Sequence, residues 1–528
     1  MSTCFNSLHP ISASETPSFT AIDQTLQKLE PARMDASTRS ECLRGTRIDV
    51  LHTILDWLNS SAEQRVLWIY GPAGSGKSTL ATTIANLFRE QACLGAFVFF
   101  DRAVEGRRQP SNVIRTIAHQ LGSFDPLIGT AIAASIDSMP SVVLSPLRLQ
   151  FMKLLVEPLS SLPMIQWPII IVVDALDECG NAEDRRDLLA ILAVQSTHLP
   201  PFIRLIITSR AEFDIGSAFA GRPNILVQQL NIFSDDNIQD ISSFFQAQMA
   251  EIRSIHTSLV LPPGWPGEDL LNSLAQRAAG LFVWASTACR FINGHDPQKR
   301  LDILLRDDAT VNAESALNTL YRTALESAGM WDDEEFCADF HVIMGTILIA
   351  KNPLSDTAID TLLSLERPSR HTISRLGCVL CWSDTEPIRI LHPSFADFVS
   401  DHLQCRSCPW YIDTSQHNRR LAVRCLDYLD RSLRRNICNL KLSMAPVNEV
   451  LPEAISYACV SWVAHIIDIN EGAESMTDVL EQFLFRHLLH WLEAMSILKK
   501  SRTTITSVRR LLDWLRVCNL SMFLVLPR

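Results

Sequence analysis

Gly71, Pro72, Ala73, Gly74, Ser75, Gly76, Lys77 and Ser78 satisfy the spacing G-x-x-x-x-G-K-[ST], with Thr79 following. Each residue type has a physical task. Glycines at 71, 74 and 76 can take positive φ and leave no Cβ in the way. The loop can then wrap phosphate oxygens with backbone N–H groups at the positive end of a helix. Lys77 supplies a point charge for the β- and γ-phosphates, and Ser78 a hydroxyl for Mg²⁺. The apolar run Val66–Tyr70 precedes the loop with strand composition. Ser78–Glu90 follows with helical spacing at Leu80, Ile84, Ala85 and Leu87. Strand, glycine loop, helix is the context the motif requires.

A second constellation lies downstream. Ile169–Val173 is a continuous β-branched run, as in a parallel strand buried on both faces. It ends at Asp174, with Asp177 and Glu178 just beyond. A carboxylate at the C-terminal tip of such a strand faces the ligand crevice of an open α/β sheet. Asp174 would hold Mg²⁺, directly or through water. Asp177 and Glu178 would polarise an attacking water. Alone, an acidic cluster after a strand also fits a solvated helix N-cap. The glycine loop in the same chain favours the metal reading.

These residues need a scaffold. Strand-like runs recur at Val66–Tyr70, Ala96–Phe100, Ile169–Val173, Ile203–Thr208 and Ile225–Val227, separated by helical stretches. That alternation predicts a five-stranded parallel sheet with flanking helices over residues 41–234. Residues 1–40, rich in Ser, Thr and Pro, read as a mostly flexible arm with a helical patch near Ile22–Leu29. After residue 234 amphipathic helices dominate: Asp236–Met249, Asp269–Ile292, Ala313–Gly329 and Glu334–Ala350. We divide this part into a helical domain 235–330, a winged-helix-like domain 331–405 with a hairpin within Ile373–Phe398, and a second helical domain 406–528.

With 528 residues, the chain exceeds one core. Its formal charge of −11 argues against a general binder of nucleic acid or anionic membrane. The start, MSTCFNSLHP, lacks a secretion signal, and no apolar run is long enough for a membrane span, so a cytoplasmic protein with reduced thiols is expected. Cys378-x-x-Cys381 and Cys405-x-x-Cys408 have ribbon-like zinc spacing, yet Cys378 sits in a strand-like apolar run. Small buried hydrophobes are the alternative. No N-K-x-D guanine-reading element follows the glycine loop, which favours adenine.

Taken together, the loop, the Asp174 strand, Leu205-Ile206-Ile207-Thr208-Ser209-Arg210 and Leu391-His392-Pro393-Ser394-Phe395-Ala396-Asp397-Phe398 resemble fungal NACHT-domain proteins. These belong to the STAND class of signalling NTPases, with the animal NOD-like receptors. The resemblance runs from about Cys42 to Trp491. It implies that Arg210 reads the γ-phosphate from a strand tip and that Gly45-Thr46-Arg47 packs on the base. It also implies that His392 contacts the ADP β-phosphate and locks an off state. The Gly-x-Pro element that touches adenine in many relatives is replaced by Ala279-Gly280-Leu281-Phe282. Relatives usually carry an N-terminal effector and a C-terminal repeat sensor, for which this chain shows only a short arm and terminal helices.

The resemblance implies a switch that binds ATP or ADP with Mg²⁺. ADP closes it, ATP opens it to self-oligomerise, and slow hydrolysis resets it. In fungi such proteins act in self/non-self recognition and cell death. The rival reading is a scaffold in which bound nucleotide is structural. A constitutive motor would need an arginine finger, which the sequence does not identify.

Overall fold

The structure is a computed structural model that describes residues 19–60, 64–163, 165–257, 261–306, 312–383, 385–438, 451–469 and 476–517. It divides into two compact units, Met1–Asn231 and Ile232–Arg528.

The first unit is built on a parallel sheet. Its strands are β1 (Val66–Tyr70), β2 (Leu94–Phe99), β3 (Ile169–Asp174), β4 (Ile203–Ser209) and β5 (Ile225–Gln229). Among the described residues the order is β2-β3-β4-β1-β5, all parallel. β3 is buried at every residue. Ile169, Ile171 and Val173 enter one core layer, while Ile170 and Val172 enter the layer on the opposite face. β1 divides likewise, with Val66 and Trp68 on one side and Leu67 and Ile69 on the other. Only a sheet covered on both faces can use such runs, so the β-branched composition and the layered fold are one fact. β5, at the edge, is half exposed.

Three helices matter for the site: α1 (Phe19–Gln27), α2 (Ile48–Asn59) and α3 (Lys77–Glu90). α1 coincides with the helical patch expected near Ile22–Leu29, and residues 19–40 are packed rather than a flexible arm. Leu26 and Leu29 are fully buried in the sheet's core layer. Beyond α1, Ala32 N–H donates to Thr116 Oγ1 at 2.9 Å and Cys42 N–H to Thr83 Oγ1 at 2.8 Å. Residues 1–18 lie outside the described residues. The polar composition misleads because a few apolar residues at helical spacing suffice to dock a short segment.

The second unit is helical, apart from an antiparallel pair, β6 (Leu380–Cys381) and β7 (Arg389–Ile390). Asp384, in the polar turn expected there, lies outside the described residues. The single helix expected over Asp269–Ile292 is two, Glu268–Arg277 and Phe282–Ile292. The break is at Ala279 and Gly280, with φ of 46° and 81°. A Cβ on Gly280 would lie 2.1 Å from the Ile232 carbonyl oxygen, so the backbones meet there as only glycine permits. Four further helices, Thr414–Ser432, Glu453–Ile467, Thr477–Ile497 and Ser501–Val517, share one core with these elements.

Candidate functional site

The sequence order around the sheet makes a crevice. β4 lies between β1 and β3, so the loop after β1 and the acidic turn after β3 flank the tip of β4. That is where strand order places ligands in open α/β sheets.

The loop has the backbone the glycines allow. Gly74 and Gly76 have φ of 77° and 89°. Gly71 serves another purpose: its φ is not positive, but a Cβ there would sit 3.0 Å from Ser75 Oγ and 3.2 Å from Leu230 Cβ. Pro72 is exposed and Ala73 half-buried. Arg47, itself left-handed at φ 59°, donates from Nη2 to the Ser75 carbonyl at 2.6 Å. It is buried and braces the loop through that carbonyl. Ser75 Oγ is buried and has no hydrogen-bond partner within the protein.

Lys77 opens α3 and is buried. Its Nζ donates to the carbonyls of Gly71 and Pro72, each at 2.8 Å. Burial pushes the ammonium down to about 8, against the pull of Asp177, Asp174 and Glu178. An ammonium that is short of anionic partners and curled onto two carbonyls is poised for phosphate oxygens. Thr79, half-buried on the first turn, accepts from Thr83 Oγ1 at 2.9 Å through its carbonyl.

Asp174 is fully buried. Its Oδ1 accepts from Ser78 Oγ at 3.2 Å and from Thr208 Oγ1. Its Oδ2 is ion-paired with Arg39 Nη2. A serine hydroxyl and a carboxylate within hydrogen-bond distance form an oxygen donor set of the kind Mg²⁺ takes. With the unpartnered Ser75 hydroxyl and the underused Lys77 ammonium, these residues fit a Mg²⁺-nucleotide.

The turn after β3 is held by Ala175 in the left-handed region, φ 57°, whose N–H donates to Thr208 Oγ1 at 3.1 Å. Asp177 is buried, and both its oxygens are engaged by Arg210. The Arg210 N–H donates to Oδ1 at 3.0 Å, and its Nε lies 3.1 Å from Oδ2. Glu178 differs. It accepts from the Arg102 N–H at 3.2 Å. Burial first, then the Asp177 charge, pushes its carboxyl up to about 7, with Arg102 opposing. Glu178 and Asp177 line a cavity of 590 Å³ with Arg102, Arg108 and Arg185. Arg185 braces the turn, donating from Nη1 to the Asp177 carbonyl at 3.0 Å and from Nε to Asp214 at 2.6 Å.

His392 belongs to the second unit. It caps the helix Pro393–Ser400, its Nδ1 accepting the Ser394 N–H at 3.2 Å. Nδ1 also lies 2.7 Å from Ser394 Oγ. Ser394 Oγ bridges to Tyr321 Oη at 2.8 Å. Of the cysteine pairs, Cys378 and Cys405 are buried, and Cys381 and Cys408 half-buried. Among the described residues no three His, Cys, Asp or Glu side chains gather to hold a metal.

Sequence reasoning missed Arg39 and Thr208 as partners of Asp174. Thr208 had a signal, its place one residue before the Ser209-Arg210 strand end. Arg39 had none in its own neighbourhood.

A family model described as "Nephrocystin 3, N-terminal" matches residues 45–210. It therefore runs from Gly45 through the glycine loop and Asp174 to Arg210. The vegetative incompatibility protein HET-E-1 of Podospora anserina is 24% identical over 492 residues, 85% of this chain and 34% of that protein. The chain thus spans about a third of the length of the curated relative it matches. A solved Signal Transduction ATPase with Numerous Domains from Pyrococcus horikoshii, carrying a tetratricopeptide repeat sensor, is 13% identical, with TM-score 0.46, over 92% of this chain and 60% of that one. Cdc6p from Pyrobaculum aerophilum is 12% identical, with TM-score 0.31, over 68% of this chain and 94% of that one. Likeness at that structural level carries no functional argument. The chain is thus similar along most of its length to a fungal incompatibility protein, on a five-stranded parallel sheet that brings a glycine loop to a buried aspartate.

Proposed function

We propose that the chain is a nucleotide-operated switch that binds ATP and ADP with Mg²⁺ and hydrolyses ATP slowly. The observation that carries this reading is the convergence of Lys77, Ser78 and Asp174 around a loop whose buried Ser75 hydroxyl lacks a partner. In this reading the backbone of residues 71–79 cradles the phosphates, with Lys77 neutralising them. Ser78 and Asp174 hold Mg²⁺, which when bound withdraws charge from the phosphate oxygens. Glu178, half-ionised near neutrality, orients and deprotonates the attacking water. Asp177 aims Arg210 from the tip of β4 toward the γ-phosphate. Arg47 supports the loop on the nucleotide side.

The second unit supplies the response. We assign residues 235–330 to a helical domain, 331–405 to a winged-helix-like domain and 406–528 to a second helical domain. His392 donates from Nε2 to the ADP β-phosphate in the closed state, and ATP releases it for self-assembly. A difference in affinity between the two states drives the change. A role in vegetative incompatibility extends to this chain what the relative's name states of the relative, and a role in cell death is what the NACHT resemblance implies. Among the described residues no helix is long and apolar enough to cross a membrane.

Mass spectrometry of the nucleotide retained by purified protein tests the reading, with Lys77→Ala as control. Retained ADP, lost in the variant, supports it. Equal retention by both proteins overturns the loop assignment. Retained nucleotide without any turnover supports a scaffold in which the nucleotide is structural.

A further inference from the structure

Asp174 meets three donors, and one of them is a full positive charge from a distant part of the chain. Arg39 lies between α1 and α2, yet its Nη2 is ion-paired with Asp174 Oδ2. Its Nε lies 3.3 Å from Thr82 Oγ1, and its guanidinium carbon sits 4.3 Å from the ring centre of Phe99 and 5.8 Å from that of Phe97. The flanking backbone is tied down as well. The Arg33 carbonyl accepts from Arg107 Nε at 2.9 Å, and Ala32 and Cys42 donate to Thr116 and Thr83. The side chain is thus held by an aromatic face, a hydroxyl and a carboxylate at once.

Two cations cannot share that carboxylate at low cost. Mg²⁺ demands short oxygen contacts and compact geometry. A guanidinium cannot give up its proton to relieve repulsion. It can only move. We propose that Arg39 is a built-in counter-cation for Asp174, which a nucleotide-bound divalent ion must displace. The segment 31–44 is then clamped while the site is metal-free and released when the metal loads. With Arg39 in place, Asp174 is already neutralised and does not repel phosphates, so nucleotide binds almost as well without metal as with it. The proposal rests on the nucleotide reading above and adds a direction of coupling: metal loading is reported to the N-terminal segment.

The test compares nucleotide affinity with and without Mg²⁺, using a fluorescent ADP, in wild type and Arg39→Met. Methionine keeps an apolar stem against Phe99 and removes the charge. The ratio of metal-free to metal-bound Kd should be small in wild type. It should be about ten- to hundredfold larger in the variant, the worth of one charge-assisted hydrogen bond. Wild type alone gives a second measurement. Trypsin should cleave after Arg39 faster with ADP and Mg²⁺ than with ADP in metal-free buffer. An unchanged ratio in a folded Arg39→Met protein overturns the proposal. Should that variant not fold, a cleavage rate indifferent to Mg²⁺ does so. No binding of ADP by wild type under any condition overturns the nucleotide reading together with this one, whereas binding with an unchanged ratio overturns this one alone.

Discussion

Arg210 and Asp177 are joined twice, by a backbone N–H to Oδ1 at 3.0 Å and by Nε to Oδ2 at 3.1 Å. The Asp177 side chain is 4% exposed and that of Arg210 25%. The pair is therefore asymmetric: the acid has no water to fall back on, while the base does.

That asymmetry predicts unequal losses. Arg210→Ala keeps the backbone N–H bond to Oδ1 but removes the guanidinium from a buried carboxylate, whereas Asp177→Asn leaves a guanidinium that solvent can reach. Arg210→Ala should be the more destabilising of the two by on the order of 1–2 kcal/mol, after discount for the exposed partner. Urea unfolding of both variants decides this. Equal losses would mean that the ion pair is solvated in solution.

Lys77 should leave a signature in alkaline solution. Its folded-state value, about 8, lies below the ordinary 10.5. Between those values the unfolded chain holds a proton that the folded chain has released, so stability contributed at this position rises with pH. The nucleotide-free wild type should gain about 1–3 kcal/mol over Lys77→Met between pH 8 and 10.5. Paired unfolding curves across that window check it. A flat difference would show the ammonium already neutralised by its carboxylate neighbours.

Turnover should follow Glu178. The carboxyl, pushed up to about 7, is the competent base only when ionised, so the rate should climb through neutrality and level off above it. Glu178→Gln should keep nucleotide and lose turnover by roughly 10²–10⁴-fold. The same carboxyl lowers stability progressively from pH 4.5 to 7, because the folded form keeps a proton that the unfolded form gives up. Glu178→Gln should flatten that slope. A pH–rate profile without a step near 7 would move the base elsewhere.

His392 has two duties to separate. It caps a helix through Nδ1, and in the proposed closed state it turns Nε2 to the ADP β-phosphate. Asn is also a good cap, so His392→Asn should keep stability while removing the Nε2 donor. ADP affinity should fall about ten- to hundredfold more than affinity for a non-hydrolysable ATP analogue. The variant should also assemble more readily in size-exclusion chromatography. Equal losses for both nucleotides, with no change in assembly, would reduce His392 to a cap.

Much of the first unit is legible in sequence because its constraints are local. A β-branched run buried on both faces, as in Ile169–Val173, and a glycine loop leading into a helix each carry their signature within ten residues or so. What is illegible depends on who meets whom. That Asp177 is engaged by Arg210, while Glu178 meets the Arg102 N–H instead, follows from β4 lying beside β3, and no spacing along the chain encodes it. Gly71 looks like its two partners in the motif but is needed for space near Leu230. The split of Asp269–Ile292 turns on one close approach, Gly280 against Ile232. Arg39 hides in a polar stretch whose composition says only that it need not fold alone.

The strand order has a temporal consequence. β1 carries the phosphate loop, but its inner neighbour is β4, with Val66 registered on Leu205. Until residue 209 or so has left the ribosome tunnel, β1 lacks that edge and the loop has no opposing carboxylate held in place. The long sequence separation makes this pairing a late, slow event in folding. A nascent chain released before β4 emerges should therefore contain the whole glycine loop and retain no nucleotide, so the first nucleotide captured would mark completion of the sheet during synthesis.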